Sequence, residues 1–126
     1  MSNLSPLDYF GRFICEKLRD PSIDRFDRMS RRACKSPALQ SLQGELSQFS
    51  AEQIDVIRRC VVSSVDAGIH DLLFAIQEQA DFDTRLSIRV DGVEVVEESD
   101  GLQGETFNDE GWFARYSAHG EKPEND

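Results

Sequence analysis

The strongest constraint on the fold is a long apolar repeat of helical period in the middle of the chain. The repeat follows Ser50-Ala51-Glu52-Gln53, a capping box in which the serine and glutamine side chains satisfy free backbone N–H groups at a helix start. Its apolar members recur every three or four residues and are Ile54, Ile57, Val61, Val65, Ile69, Leu72 and Ile76. The opposite stripe is polar and consists of Asp55, Arg59, Ser63, Asp66, His70 and Gln77. The pattern predicts a helix over about residues 51–79, roughly 42 Å long, as the spine of the core, with Gly68 as the point where it would bend or divide.

A β-hairpin is predicted directly after this helix, because the apolar period changes from about 3.6 to 2 after Asp81. The alternating apolar residues are Leu86, Ile88, Val90, Val93 and Val95. Asp91-Gly92 stands between them and favours a two-residue type I′ turn, in which both residues need positive φ. Such a turn sets Val90 opposite Val93 and places all five apolar side chains on one face. We expect a hairpin at about residues 85–97 that covers the central helix.

The first third of the chain carries start and stop signals for shorter helices. Ser5, followed by Pro6, predicts the N-cap of a first helix. Asp20-Pro21 predicts the end of that helix and the start of a second, because proline disrupts a helix interior. Ser36-Pro37 predicts the start of a third. Several short helices therefore precede the long one.

The predicted fold class is α+β: N-terminal helices and a long central helix, with a C-terminal β-hairpin packed on it and a short last helix. The last helix would be capped by Asn108 and carry Trp112, Phe113 and Tyr116. The length of 126 residues fits one domain. We expect residues 1–116 to form it and residues 117–126 to be a disordered acidic tail, because that segment has no apolar stripe.

Apolar runs and cysteines bear on the cellular compartment. The longest apolar runs, such as residues 72–76, are far shorter than the roughly 20 residues of a membrane span, and no apolar export signal precedes them. The three cysteines, Cys15, Cys34 and Cys60, are odd in number and widely spaced. These features favour a cytoplasmic protein without a membrane segment, in which the cysteines are small buried apolar residues.

Charge is distributed unevenly along the chain, whose net charge is -10. Residues 1–35 hold eight Lys and Arg against five Asp and Glu, whereas residues 36–126 hold six against nineteen. A surface this acidic repels nucleic acid and anionic membranes and attracts basic partners. We therefore expect no direct nucleic-acid contact and no membrane contact.

Acidic residues are densest around the predicted hairpin and the loop after it. The residues predicted to bind a partner are Glu94, Glu97, Glu98, Asp100, Glu105 and Trp112. Charged residues around an aromatic anchor suit a protein–protein interface, since charge raises the association rate and the aromatic side chain supplies affinity. The alternative role for Trp112 is a core residue that packs the last helix on the hairpin.

Catalytic and metal-binding motifs are absent from the sequence, so it predicts no enzyme, no metal site and no cofactor. His70 lies one helical turn after Asp66, which resembles acid–base geometry but is more typical of an exposed ion pair. Asp81-Phe82-Asp83 resembles a divalent-cation site, although an isolated pair of this kind is more typical of a solvated loop.

Basic residues of the second predicted helix form a separate group. Its members are Arg25, Arg28, Arg31, Arg32 and Lys35, of which Arg28, Arg32 and Lys35 share one face. They suit either a phosphate contact or a solvated face that pairs with the acidic half of the chain. The sequence leaves open whether they are functional.

Part of the chain resembles a group of small bacterial proteins. The resemblance is carried by residues 69–78, by Ser99-Asp100-Gly101-Leu102-Gln103-Gly104-Glu105, and by Gly111-Trp112 followed by Tyr116-Ser117. These segments resemble small uncharacterised bacterial proteins, some of them associated with immunity proteins of polymorphic toxin loci. The resemblance implies no catalytic residue.

Three functional hypotheses follow for the chain. The first is an acidic, non-catalytic immunity or inhibitor protein that covers the basic surface of a partner, for example a toxin or nuclease. The second is a structural or regulatory subunit that forms a homodimer through an apolar face of the N-terminal helices. The third is a small enzyme that uses His70.

Overall fold

A computed structural model describes residues 3–82 and 85–120 and confirms the α+β class. The N-terminal helices are α1 (Pro6–Ile14), a π-helical turn (Cys15–Arg19), α2 (Asp20–Ser30), a 3₁₀ turn (Pro37–Leu39) and α3 (Gln40–Leu46). The long helix is α4 (Ala51–Phe82). The hairpin strands β1 (Arg89–Val90) and β2 (Val93–Glu94), a 3₁₀ turn (Leu102–Glu105) and α5 (Trp112–Tyr116) follow it.

The start signals of two helices are confirmed at the level of single hydrogen bonds. The hydroxyl of Ser5 accepts from the backbone N–H of Asp8 at 3.2 Å. In the capping box, the backbone N–H of Ser50 donates to the Gln53 side chain at 2.8 Å, and the backbone N–H of Gln53 donates to the Ser50 hydroxyl at 3.1 Å. Local side-chain chemistry therefore sets where α1 and α4 begin.

The helix break predicted at Asp20-Pro21 is wrong, since α1 continues through the π-helical turn into α2. In that turn the backbone N–H of Asp20 donates to the carbonyl of Cys15, five residues earlier. A π-helical turn adds one residue to a helix turn. Here it ends at Arg19, two positions before Pro21, whose ring and missing N–H conflict with a regular α-helix. The wider turn absorbs this conflict, so the chain stays helical from Pro6 to Ser30.

The central helix is longer than predicted and runs through Gly68 without a break. Its first half packs Ile54, Ile57 and Val61 against a cluster of Phe26, Met29 and Leu46 from α2 and α3. Its second half buries Asp66, Ile69, Leu73 and Ile76. The buried face therefore includes one residue of the predicted polar stripe and leaves out Leu72, which is 56% exposed.

The predicted hairpin register is confirmed. Val90 pairs with Val93, and the backbone N–H of Val95 donates to the carbonyl of Ile88 at 3.0 Å. The ladder is shorter than expected, because each strand has two residues. Val95 and the following Val96 join the main buried cluster of α4, whereas β1 also contacts α1. Leu86, predicted on the covered face, is 46% exposed.

The last helix closes the core through its aromatic residues. Trp112 and Phe113 are buried, and Phe10 of α1 meets the Trp112 ring edge-on at 6.0 Å between centroids. The cap predicted at Asn108 is Gly111 instead. Asn108 has a positive φ, and its side chain accepts from the backbone N–H of Glu110 at 2.9 Å. Asn108 therefore forms a turn before the helix rather than its cap.

The predicted domain boundary at residue 116 is wrong by several residues. Ser117, Ala118 and His119 are bonded to α2 and to the π-helical turn. The folded domain thus extends at least to Gly120, which is half-buried. The rest of the predicted tail, residues 121–126, lies outside the described residues.

Candidate functional site

A concave surface near several of the predicted partner-binding residues is a cleft between the end of α4 and the hairpin. Its volume is about 610 Å³. Four carboxylates line it, from Asp81, Glu94, Glu97 and Asp100. Among the described residues, the one cationic side chain in its lining is Arg89. We call this cleft, together with the adjacent exposed Glu98, the acidic cleft.

The predicted acidic residues differ in how freely they face solvent. Glu97, Glu98 and Asp100 are exposed. Glu105 is half-buried, and its carboxylate accepts from the Ser99 hydroxyl at 2.9 Å. Glu94 is also half-buried. The surface available to a partner is therefore centred on the three exposed carboxylates.

The prediction that Trp112 contacts a partner is wrong. Its relative exposure is 0%, and its ring lies directly over Gly11 of α1. A fully buried side chain supports the core and offers no surface to another protein. The alternative role considered from the sequence, a core residue, is the correct one.

Glu94 acts within the hairpin. Its carboxylate accepts from the Ser87 hydroxyl and, at 3.1 Å, from the backbone N–H of Ile88, and it lies 4.0 Å from the Arg89 guanidinium. The bond from Ser87 is the main reason why the pKa of Glu94 lies below its ordinary value. The ionised carboxylate therefore fastens the residues directly before β1 to β2.

Replacing Glu94 with glutamine is expected to make the free energy of unfolding depend less on pH in the acid range. A carboxyl with a lowered pKa in the folded state stabilises the protein above its unfolded pKa, which is about 4.3 for glutamate. This stabilisation is lost as the pH falls through the lowered folded value. Urea unfolding between neutral pH and acid pH should show a smaller pH dependence for Glu94→Gln than for the wild type. Glu97→Gln is the matched control, because Glu97 is an exposed glutamate of the same hairpin region; an equal flattening there would contradict the role of Glu94.

The basic residues of α2 do not neutralise the acidic cleft. Arg25, Arg28, Arg32 and Lys35 are exposed, and none of them forms an ion pair with any residue in 3–82 or 85–120. Helix α2 packs on α3 and α4, in a cluster with the first half of α4, whereas the cleft lies at the last turns of α4. The negative charge of the cleft is therefore not balanced by these cations.

A second polar site is buried beneath the C-terminal segment. Arg19 of the π-helical turn is 2% exposed and makes a two-pronged ion pair with Asp66 of α4, at 2.6 and 3.1 Å. Its third nitrogen donates to the Ser117 hydroxyl at 2.8 Å and to the His119 carbonyl at 2.6 Å. The Phe113 ring covers the guanidinium at 4.4 Å. Each of the three guanidinium nitrogens is thus bonded to a protein group.

Helix α2 holds the same C-terminal segment from the other side. Asp20 accepts from the Ser117 hydroxyl and from the backbone N–H of Ala118 at 2.9 Å. The His119 Nε2 atom lies 2.6 Å from Asp24. These contacts belong to the fold, because each of them ties residues 117–119 to a helix.

Three side chains of this region have the spacing of metal ligands. The ligand atoms of Asp24, Asp27 and His119 all lie within 4.8 Å of one another. Arg58 of α4 already supplies a positive charge there, since it pairs with both oxygens of Asp27 at 2.9 and 3.3 Å and lies 3.3 Å from the His119 Nδ1 atom. A cation would have to displace this guanidinium, so the arrangement indicates an ion-pair network.

The acid–base pair suggested for His70 is wrong, because the Asp66 carboxylate is bonded to Arg19. The His70 side chain is 45% exposed, and its Nδ1 atom lies 3.3 Å from the neighbouring Asp71. In the sequence Asp81-Phe82-Asp83, Asp81 lines the acidic cleft and Asp83 lies outside the described residues.

The cysteines occupy three different environments. Cys15 is buried, and burial raises the pKa of its thiol to about 12. Cys34 is half-buried and Cys60 is exposed on α4. The expectation of buried cysteines therefore holds for Cys15 and is wrong for Cys60.

The buried Arg19 network had no sequence signal that would have revealed it. Its partners lie 47 to 100 residues away along the chain. Residues 117–119 carry no apolar pattern, which is why the sequence assigned them to a tail. Arg19 itself lies outside the group of basic residues singled out on α2.

Comparison of the chain with protein-family models, with curated proteins and with solved structures finds no match. The function therefore has to be argued from the residues of the chain itself.

Proposed function

We propose that this chain is an acidic, non-catalytic binding protein that docks on the basic surface of a protein partner through the acidic cleft. The observation that carries the proposal is the cleft itself, whose lining contains, among the described residues, four carboxylates and one guanidinium. A concave acidic surface receives lysine and arginine side chains that project from a partner. We expect the exposed Glu97, Glu98 and Asp100 to make these contacts.

Electrostatics supports this role more than it supports contact with nucleic acid or an anionic membrane. Concave surfaces lined by one sign of charge focus the field and speed the approach of the opposite charge. The same field repels phosphates, and the net charge of -10 adds to that repulsion. A basic protein surface is therefore the partner that this charge distribution fits best.

The finer proposal is an immunity or inhibitor protein that works in the cytoplasm against a toxin or nuclease. A nuclease presents a basic surface to its phosphate substrate, and an acidic protein that covers this surface blocks access. The resemblance of residues 69–117 to small bacterial proteins associated with toxin loci supports the same class. The role requires neither a catalytic residue nor a cofactor in this chain.

Reversal of the three exposed carboxylates, Glu97→Lys, Glu98→Lys and Asp100→Lys, is expected to abolish most of the affinity for basic ligands. The probe is a fluorescent peptide of about ten lysines, titrated at low and at high salt, where screening weakens charge contacts. The wild type should bind at low salt and lose affinity as salt rises. The triple variant should bind at least about tenfold more weakly at low salt, with circular dichroism unchanged.

The matched control reverses three acids at the other end of α4, namely Glu45→Lys, Glu52→Lys and Asp55→Lys. All three are exposed, and the two triple variants change the net charge by the same amount. Residue 52 lies some 25 positions from residue 77, which is roughly 38 Å along the helix. Equal weakening in both variants would assign the binding to net charge and would reject the acidic cleft as the docking site.

A further inference from the structure

The apolar surface of α4 exceeds what the fold covers. By length and composition this helix is apolar enough to cross a membrane, yet only 22% of its most apolar 18-residue stretch is buried. Leu18 of the π-helical turn and Leu72 of α4 are 40% and 56% exposed. Together with Ile14 and Val65 they line a groove of about 260 Å³ between the two helical segments. A groove of exposed apolar residues of this kind is a candidate interaction site.

Gly68 lies in the wall of this groove, and nothing within the described fold requires a glycine there. A Cβ atom added at residue 68 would meet nothing within 4 Å. In an exposed helix interior, glycine costs roughly 1 kcal/mol relative to alanine. Because glycine has no side chain, it permits a close approach of another backbone to the helix.

The residues that precede Leu18 and Leu72, two members of the groove lining, carry opposite charges. Lys17 precedes Leu18 on one wall, is exposed, and forms no ion pair with any described residue. Asp71 precedes Leu72 on the other wall, and its side chain is 83% exposed. One wall therefore carries a free cation and the other an exposed anion.

We propose that the groove is a homodimer interface, in which a second copy of this chain docks about a two-fold axis near Gly68. A two-fold axis that runs along the groove brings each wall opposite the other wall of the second copy. Lys17 then faces Asp71 of the other copy twice, while Leu18 and Leu72 cover each other. The charge difference between the walls is what makes this surface complementary to itself.

This interface is independent of the proposed acidic cleft. The groove is lined by residues 14–18 and 64–73, and the cleft by residues 77–100, so the two surfaces share no residue. The dimer therefore leaves the cleft open, and either proposal can fail while the other stands.

The first test is the mass of the wild-type chain by sedimentation velocity from about 5 to 500 μM, since an interface as small as this groove gives weak affinity. We expect the mass to rise from 14.3 kDa toward twice that value. A mass of 14.3 kDa at every concentration would overturn the proposal.

Gly68→Ala is the decisive variant, because its two expected effects have opposite signs. The added methyl group favours the helix, so the melting temperature of dilute, monomeric protein should rise. The same methyl group obstructs the close approach of the second helix, so the dimer should weaken by about tenfold or more. A dimer of unchanged affinity in Gly68→Ala would place the interface elsewhere and reject the proposal.

A charge exchange tests which residues face each other. Lys17→Glu and Asp71→Lys should each weaken the dimer, and the double variant should restore it, because the pair is then reversed.

A pair of serine variants tests which face of α4 lies in the interface. Phe74→Ser is the matched control for Leu72→Ser, because Phe74 is 47% exposed and lies about 200° around the helix from Leu72. Leu72→Ser should weaken the dimer and Phe74→Ser should not. Failure of the exchange to restore the dimer, or equal effects of the two serine variants, would reject the two-fold arrangement.

A membrane is the alternative occupant of this apolar surface, and co-sedimentation with vesicles of phosphatidylcholine separates the two. Neutral lipid removes the electrostatic repulsion that anionic lipid would add. If wild-type protein is recovered with the vesicles and Leu72→Ser is not, the groove binds lipid rather than a second copy, and the proposal is overturned. Protein that stays in the supernatant, together with the mass increase, is the result we expect.

Discussion

Replacing Arg19 with methionine is expected to lower the free energy of unfolding by about 3–5 kcal/mol, the cost of removing one partner from a buried ion pair. The Asp66 carboxylate is 10% exposed in its side chain and would be left without its cation. Ser117 and the His119 carbonyl would lose a donor at the same time. Urea unfolding followed by circular dichroism measures the loss.

A double variant distinguishes an unpaired charge from lost packing. Arg19→Met with Asp66→Leu removes both charges, and apolar replacement of a whole buried pair is often neutral. We expect it to recover most of the stability that Arg19→Met loses. Arg59→Met is the matched control, because Arg59 pairs with Asp55 on the exposed surface of α4 at 3.2 Å, a geometry worth about 0.3–0.5 kcal/mol. Similar losses in Arg59→Met and Arg19→Met would contradict the burial of the Arg19 pair.

Replacing Trp112 with alanine is expected to cost about 3–5 kcal/mol, since it deletes the largest fully buried side chain and leaves a cavity. The cavity would open between α1 and α5, where Phe10 and Gly11 contact the indole ring. The melting temperature and the urea midpoint should both fall. Binding at the acidic cleft should persist under conditions where the variant is folded, because Trp112 offers no surface to a partner.

Gly11 provides the test of this packing. A Cβ atom at residue 11 would overlap the indole ring, so Gly11→Ala alone should destabilise the protein by about 1–3 kcal/mol. In the Trp112→Ala background the ring is gone, and alanine at residue 11 should be neutral or should stabilise α1 through its higher helix propensity. Additive losses in the double variant would show that the two residues do not touch.

Contacts between near neighbours in the chain were predictable from the sequence. The Ser5 cap, the Ser50–Gln53 capping box and the Asp91-Gly92 turn each depend on residues within a few positions of one another. The register of the hairpin followed from that turn and from the alternation of its apolar residues. These elements were correct because the chain itself brings their partners together, whatever the rest of the fold does.

The candidate site was predicted in part. Glu94, Glu97 and Asp100, which the sequence groups by their density along the chain, lie together in the acidic cleft because a short hairpin connects them. The sequence did not predict which of these side chains face solvent. The Glu94 carboxylate accepts hydrogen bonds from Ser87 and Ile88 within the hairpin, and the Trp112 side chain lies in the core. Periodicity cannot tell a buried aromatic residue from an exposed one in a helix of five residues.

By itself, the sequence determined the α+β class, the position of the long helix and the hairpin turn, because these rest on local hydrogen bonds and on apolar period. Only the tertiary structure decided which face of α4 is buried, that the helix continues past Pro21, and that residues 117–119 belong to the domain. The physical reason is clearest for the buried face of α4 and for residues 117–119. Arg19 brings Asp66 and the C-terminal segment to one point in space, and a buried charge is stable only when such distant partners converge on it.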